Sequence, residues 1–530
     1  MKTYIKNIIP AAAFLLAVGL GSCTKDLDVT PIDPNLNTEI QPEALFNKCY
    51  ANIAVAGNGG ANGDCDVDGI DGGTSGYIRQ MWNANELTTD EAICGWGDEG
   101  IANFVYNTYD ASHPMLRGYY YRLYTGISFC NQYLQVFEGY NSTMTAEVRF
   151  IRALNYFFLM DGWGNVPFVT SITSEKPQQY SRSEMFNWIE SELLEIEPQL
   201  SEAKAKKSGD SGYGRVDKAA AWLLLARLYL NAEVYTGSAQ WSKAAQYAQQ
   251  VINSSYKLNT TGTDDWSAYQ MLFMGDNGET SAAYEAIFPI LQDGERTTSW
   301  GTSLFMIAST HDADMVDSNG TTETWGGNRA RPQLIQKWFP NNNAPEADPK
   351  DFAKAAKDDR AIIDSRGRTL TNDDVSTFKS GYAVAKWNNF TTTGATTKSA
   401  QFPDTDFFLM RIAEAYLTYA EALARQNGGT ATGEAANAIN AIRSRANAST
   451  KDSYTLDDIC DEWCREFYFE GRRRMDLVRF GNFGGSTNYN WQWKGSAYAG
   501  RSFEAYRNVF AIPTTDLTAN PNLVQNEGYR

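Results

Sequence analysis

Histidine is nearly absent: His113 and His311 are the only two in 530 residues. That scarcity leaves Ser–His and Cys–His nucleophiles and His-rich metal centres poorly supplied. Acid–base chemistry would have to rest on the 63 carboxylates, too many for a working pair to be singled out. Positive charge is also short. Against those carboxylates stand 46 Lys and Arg, for a formal net charge of −17, so no nucleic-acid partner is expected. After the first twenty residues there is no long apolar run that could cross a membrane. Cysteine is sparse as well. The six beyond Cys23 show no disulfide framework, and Cys460 and Cys464 lack nearby Cys or His for a zinc site, so buried thiols are expected.

What is present starts at the N-terminus. Lys2 and Lys6 precede an apolar run from Ile8 to Leu20, too short for a stable span. The run ends in Leu20-Gly-Ser-Cys23, which resembles a bacterial lipobox. Residues 1–22 are then a signal peptide and Cys23 the acylated residue, followed by a polar tether over 23–40. Acyl chains contribute about 0.8 kcal/mol per buried methylene, so such an anchor would hold the body on a membrane surface.

The body changes character along its length. "TAEVRFIRALNYFFLM" puts Val148, Ile151, Leu154 and Phe158 on one helical face and stops at a Gly- and Pro-bearing segment. "VDKAAAWLLLARLYLNAE" (216–233) and "QWSKAAQYAQQVINS" (240–254) follow, with Ala-rich stripes that let two helices nest closely. A second such pair runs over 406–429 and 433–447, and a further helix over 456–480. These read as tetratricopeptide-style helix pairs. Residues 255–400, dense in Thr, Asn, Asp and Gly with scattered Trp, read as an irregular, functional lobe. The predicted fold class is all-α, a helical repeat scaffold carrying a loop-rich lobe.

Four blocks in order, "AEVRFIRALNYFFLMDGWGNVPFV" (146–169), "FFLMRIAEAYLTYAEALAR" (407–425), "EWCREFYFEGRRRMDLVRFG" (462–481) and "VFAIPTTDLTANPNLVQNEGYR" (509–530), resemble the SusD/RagB outer-membrane lipoproteins. The resemblance spans essentially the whole mature chain and makes 41–530 one domain. It implies a surface protein that binds a glycan, or sometimes another nutrient such as a peptide, as a lid over a TonB-dependent transporter, without cleaving it. On the residues alone, the Arg/Glu run of the third block reads as an ion-pair network between helices. A glycoside hydrolase with a carboxylate pair and a purely structural scaffold are the competing classes.

A sugar site needs aromatic faces for C–H patches and polar groups for hydroxyls. The candidates lie in the loop-rich N-terminal portion and in residues 290–340: Trp82, Trp96, Trp300 and Trp325, with Asp68, Asp71 and Arg79 as hydroxyl partners. Trp96 stands between two glycines, which leaves its face unobstructed. The stretch "NGDCDVDGIDGG" (62–73) opens like a calcium loop, and Gly69 falls at position six from Asp64. Asp71 then stands where an aliphatic residue belongs, and Ser75 where a bidentate Glu belongs. It is read as a flexible acidic loop. Calcium held in another way stays open, and no cofactor is expected.

Overall fold

The computed structural model describes residues 40–530. The leader, Cys23 and the tether up to residue 39 lie outside them, so the acylation read at Cys23 does too. The chain divides into two units, residues 1–45 and Phe46–Arg530. The second holds the helical body and all seven candidate ligand-binding residues. No helix among the described residues is long and apolar enough to cross a membrane.

The body is all-α and tetratricopeptide-like. Helices Pro114–Phe137 and Ser142–Trp163 pack on each other, and the second starts where the Asn141 side chain accepts from the Met144 amide. Arg182–Ile196 packs on Ser142–Trp163 and opens with a Ser181–Glu184 capping box, which satisfies two otherwise orphaned amides. Lys218–Leu230, capped by Asp217, lies against Trp241–Ile252, which packs in turn on Ile412–Gln426; Glu434–Arg445 completes the layer. Small side chains permit this closeness: Ala219, Ala220, Ala226, Ala244 and Ala248 are fully buried. Lys218–Leu230 is buried on nearly all sides rather than along one stripe, because neighbours cover both faces.

Three local readings are corrected. Residues 407–411 are not helical. Phe407–Arg411 is a strand paired antiparallel with Ala286–Ile290, and the helix starts only at Ile412. A short unbroken apolar run is compatible with either state, and tertiary pairing decides. The helix read over 456–480 is two, Leu456–Phe467 and Arg473–Arg479, separated by a turn in which Phe469 and Gly471 take positive φ of 63° and 79°. Arg79 and Trp82, read as part of a loop region, sit on the helix Tyr77–Glu86. Among the described residues strands pair only as two-stranded ladders, and residues 255–400 hold only short helices and strands between loops. No disulfide joins the six described cysteines, five of which are buried.

The Arg/Glu run forms a buried lattice between helices. Arg411 donates to Glu470 at 2.8 Å, to Glu466 at 2.6 Å and to Glu285 at 2.9 Å, while Arg445 bridges Glu285 and Glu466. Arg360 pairs with Glu462 at 2.7 Å and Asp358 at 2.7 Å, and Arg443 reaches Glu462 at 2.6 Å. The side chains of Arg360, Arg411, Arg445, Glu285, Glu462 and Glu466 are wholly inaccessible. Burial alone would push Glu466 up, but the guanidinium groups of Arg445, Arg411 and Arg360 outweigh it and hold the carboxyl at about 2. Removing one partner of a buried pair typically costs about 3–5 kcal/mol, because a charge is left uncompensated.

Glu466→Gln is therefore expected to lower the unfolding free energy by about 3–5 kcal/mol at neutral pH in denaturant titrations. Glu466 titrates lower when folded, so its stabilisation is present above the unfolded carboxyl value of 4.5 and is lost as pH falls toward about 2. The gap between wild type and variant should accordingly shrink on acidification below about pH 5. A pH-independent gap would contradict this reading.

Candidate ligand-binding site

Trp96 and Trp325 meet because a short ladder aligns them. Ala92–Cys94 pairs antiparallel with Asn328–Ala330, Cys94 opposite Asn328, and the Gly95 amide donates to the Gly327 carbonyl at 3.1 Å. Trp96 leaves one strand as Trp325 enters the other. The Trp325 amide also donates to the Ala308 carbonyl at 2.9 Å, at the end of the helix Ser303–Ala308. Trp300 stands just before that helix. Its position is set where Gly301 packs on Gly76 and the Arg79 amide donates to the Gly301 carbonyl at 3.0 Å.

The three indoles form a continuous row. Ring centroids of Trp96 and Trp325 are 6.5 Å apart with planes at 58°, and those of Trp325 and Trp300 are 6.1 Å apart at 48°. Phe402 extends the row, 5.0 Å from Trp300. All four are half-buried, so part of each ring faces solvent. The planes turn at each step, and the row is an arc rather than a flat platform.

Each ring is held by a neighbouring side chain. Glu323 accepts from Trp325 Nε1 at 2.8 Å and from Gln401 Nε2 at 2.8 Å. Asn62, on the acidic Gly-rich loop, accepts from Trp300 Nε1 at 3.3 Å. Under Trp96 lies the buried Phe305, 6.2 Å away and edge-on. The Arg79 guanidinium sits 5.3 Å from the centroids of both Trp96 and Phe305, and its buried Nε has no hydrogen-bond partner. Burial pushes Arg79 below the usual guanidinium range, and Asp98 and Asp71 oppose the shift. A desolvated cation over an aromatic face is worth about 2 kcal/mol, so Arg79 pins Trp96. Gly327 has φ of +101°, and a Cβ there would collide with the Trp96 indole.

The acidic loop is tied down by charge. Asp66 pairs with Lys48 at 2.9 Å, and the fully buried Arg122 donates to the Ser75 carbonyl at 3.0 Å and the Ala56 carbonyl at 2.8 Å. Asp71 accepts from the Thr74 amide at 2.9 Å. Burial pushes Asp71 up, but the hydrogen bonds from Thr74 and the charge of Arg79 outweigh it and hold the carboxyl below its usual range. Among the described residues no group of three or more His, Cys, Asp or Glu could hold a metal ion.

Two family models match the chain: one described as the SusD family over residues 238–529, the other as starch-binding associating with outer membrane over residues 27–230. The chain belongs to the SusD family. Across the full length of both proteins it is 40% identical to the starch-binding protein SusD of Bacteroides thetaiotaomicron. Among solved structures, a SusD-like protein from Bacteroides fragilis superposes with a TM-score of 0.68 at 18% identity, covering 94% of this chain and 100% of that one. Surface glycan-binding protein A from Bacteroides uniformis gives 0.66 at 20% identity, covering 92% and 99%. These two likenesses speak for the SusD fold.

Of the seven candidates read from sequence, this SusD-family fold brings Trp96, Trp300, Trp325 and Arg79 together, with Asp71 beside Gly73, which abuts Trp300. Two are corrected. Trp82 is fully buried, donates to the Phe469 carbonyl at 2.9 Å and packs on Phe305, so no face is left for a ligand. Asp68 is exposed and has no described hydrogen bond or ion pair with the arc. Glu323, Phe402, Phe305 and Asn62 were missed. Only Glu323 carried a signal: two residues before Trp325 in an extended segment, it lies on the same face.

Gly327→Ala is expected to destabilise the protein by about 1–3 kcal/mol, through a strained φ and the displaced indole. It should also raise acrylamide quenching of tryptophan emission. Unchanged quenching with unchanged stability would refute the placement of Trp96 against Gly327.

Proposed function

We propose that this SusD-family protein is a cell-surface lipoprotein that binds a neutral glycan along the Trp96–Trp325–Trp300 arc. It then delivers the glycan uncleaved, as a lid, to a TonB-dependent outer-membrane transporter. The observation that carries the reading is the turn between successive indole planes, 58° and then 48°. A flat β-linked chain offers coplanar faces, whereas an α-linked glucan curves and can lay successive sugar rings on planes that rotate. Stacked C–H patches would then be flanked by Arg79 and Asp71 as hydroxyl partners. The 40% identical relative is named for starch binding, which supports an α-glucan as the ligand class.

The non-catalytic reading is supported at the arc itself. Asp71 is held below the usual carboxylate range, so at neutral pH it is ionised and cannot act as the protonated acid a glycosidase needs. Among the several carboxyls that burial pushes up, Asp217, to about 6, and Asp406, to about 7, are enclosed and hydrogen-bonded to Tyr256 and Tyr213. The lipobox-like ending at Cys23 and the family description of outer-membrane association support a surface location.

Calorimetry with maltoheptaose and, as a flat control, cellohexaose tests the reading. Binding of the α-glucan alone is expected, and Trp96→Ala with Trp325→Ala should weaken it by at least about 2 kcal/mol, or roughly 30-fold. No retardation on any polysaccharide gel and no heat with any oligosaccharide would sink it and leave a peptide or another nutrient as the ligand. Reducing-sugar release by the purified protein would overturn the non-catalytic half.

A further inference from the structure

A second concave region lies behind the arc. Trp266 and Phe390 stack with centroids 6.1 Å apart and planes at 26°. Both rings are half-buried, and both line a cavity of about 310 Å³ and a larger one of about 730 Å³. The second is walled mainly by the Thr-rich loop 391–397. Ligand pockets for small molecules occupy this size range.

The wall between this region and the arc is one chain thick. His311 lines the smaller cavity, yet its carbonyl accepts from the Gly326 amide at 2.9 Å, and its neighbour Asp312 is bridged to Trp325. On the helix Ser303–Ala308, Phe305 packs under Trp96 while Ile307 lines the cavity. Two segments connect the regions. Residues 311–325 start in the cavity and end at Trp325; residues 388–402 start in it and end at Phe402, against Trp300. They are pinned to each other where the Asn389 amide donates to Asn319 at 2.9 Å, the Thr322 amide to Ala400 at 2.8 Å, and Gln401 to Glu323.

The lining suits a neutral polyol. Gln270 Nε2, Asn388 Nδ2 and the ring nitrogens of His311 have no hydrogen-bond partner among the described residues, and none is sealed in the interior. Burial holds His311 below the ordinary imidazole range, so at neutral pH its ring offers one donor and one acceptor. The carboxylates of Asp265, Asp317, Asp348 and Asp364 line the cavity against the ammonium groups of Lys350 and Lys386, an acidic balance that disfavours an anionic ligand. The ammonium of Lys386 is already committed to Glu470 at 2.8 Å and to the Tyr468 carbonyl at 2.7 Å. A stacking surface with uncommitted amides, an imidazole and carboxylate acceptors is the composition that recognises sugar rings.

We propose that the protein carries a second neutral-oligosaccharide site, with the Trp266–Phe390 pair as its stacking platform, back to back with the arc across the His311–Trp325 wall. The choice of ligand rests on the glycan reading of the arc; the geometry does not. Two sites on one rigid wall would let a polysaccharide engage twice, raising avidity without new contacts at either site.

The test is calorimetry with maltoheptaose and retention on starch gels for the full mature protein, Trp96→Ala/Trp325→Ala, Trp266→Ala, Trp266→Phe and the triple alanine variant. The arc double variant should keep a weak binding event, which Trp266→Ala abolishes and Trp266→Phe preserves. Trp266→Ala alone should leave heptasaccharide affinity at the arc within about twofold and reduce starch-gel retention, where avidity counts. Complete loss of binding in the arc double variant, with wild type still binding, would overturn the second site and leave the proposed function standing. Residual binding indifferent to Trp266→Ala would overturn its placement here. No binding by wild type would overturn both.

Discussion

The buried lattice of arginines and carboxylates is the constraint on which the rest of the structure depends. It does not end at the helical scaffold. The turn between Leu456–Phe467 and Arg473–Arg479 sends the Gly471 and Arg472 amides to Glu86 at 2.6 and 2.9 Å, and Arg473 to Asp90 at 2.8 Å. Arg331 then clamps the adjoining strand, donating its amide to the Glu91 carbonyl at 2.9 Å and its Nε to the Ala92 carbonyl at 2.7 Å. The strand that delivers Trp96 is thus bolted to the same charge lattice that joins the C-terminal helices. Charges this deep are costly to bury, and the cost is recovered only in well-formed geometry, so the lattice favours one arrangement over near alternatives.

From that anchor outward, order is handed to loops. The ladder Ala92–Cys94 with Asn328–Ala330 is three residues long, yet it is enough to set the spacing of Trp96 and Trp325, because both leave it at the same end. The helix Ser303–Ala308 relates Trp300 to Trp325 in the same economical way. The indoles are not left to find their own orientation: Glu323, Asn62 and Arg79 each hold one. A preformed aromatic surface loses little conformational entropy on binding.

Much of the scaffold was legible in sequence because its signals are local. Alanine-rich helical stripes and alternating Arg and Glu declare helices and their pairing within a few turns. The strand Phe407–Arg411 was not legible, because its state depends on Ala286–Ile290, more than a hundred residues away. The site divides the same way. Tryptophans flanked by Gly, Asn and Asp marked segments that the fold brings together, but the sequence around Trp82 did not show that its ring is enclosed. Phe305 packs on both Trp82 and Trp96, but Phe469 also closes on Trp82, which is fully buried. Ring angles and the supporting Glu323–Gln401 contact are set by segments distant in the chain, and no local pattern encodes them. The opening of a calcium loop at 64–69 shows the converse: a local pattern outweighed by its setting, where Asp66 is neutralised by Lys48 and the loop instead supports Trp300 through Asn62.

The most direct test of the central claim is a crystal structure of the mature protein with bound maltoheptaose. Successive glucose rings should lie over Trp96, Trp325 and Trp300, following their turn, with hydroxyls within hydrogen-bond reach of Arg79 or Asp71. A heptasaccharide bound elsewhere, with the three indole faces left bare, would contradict it.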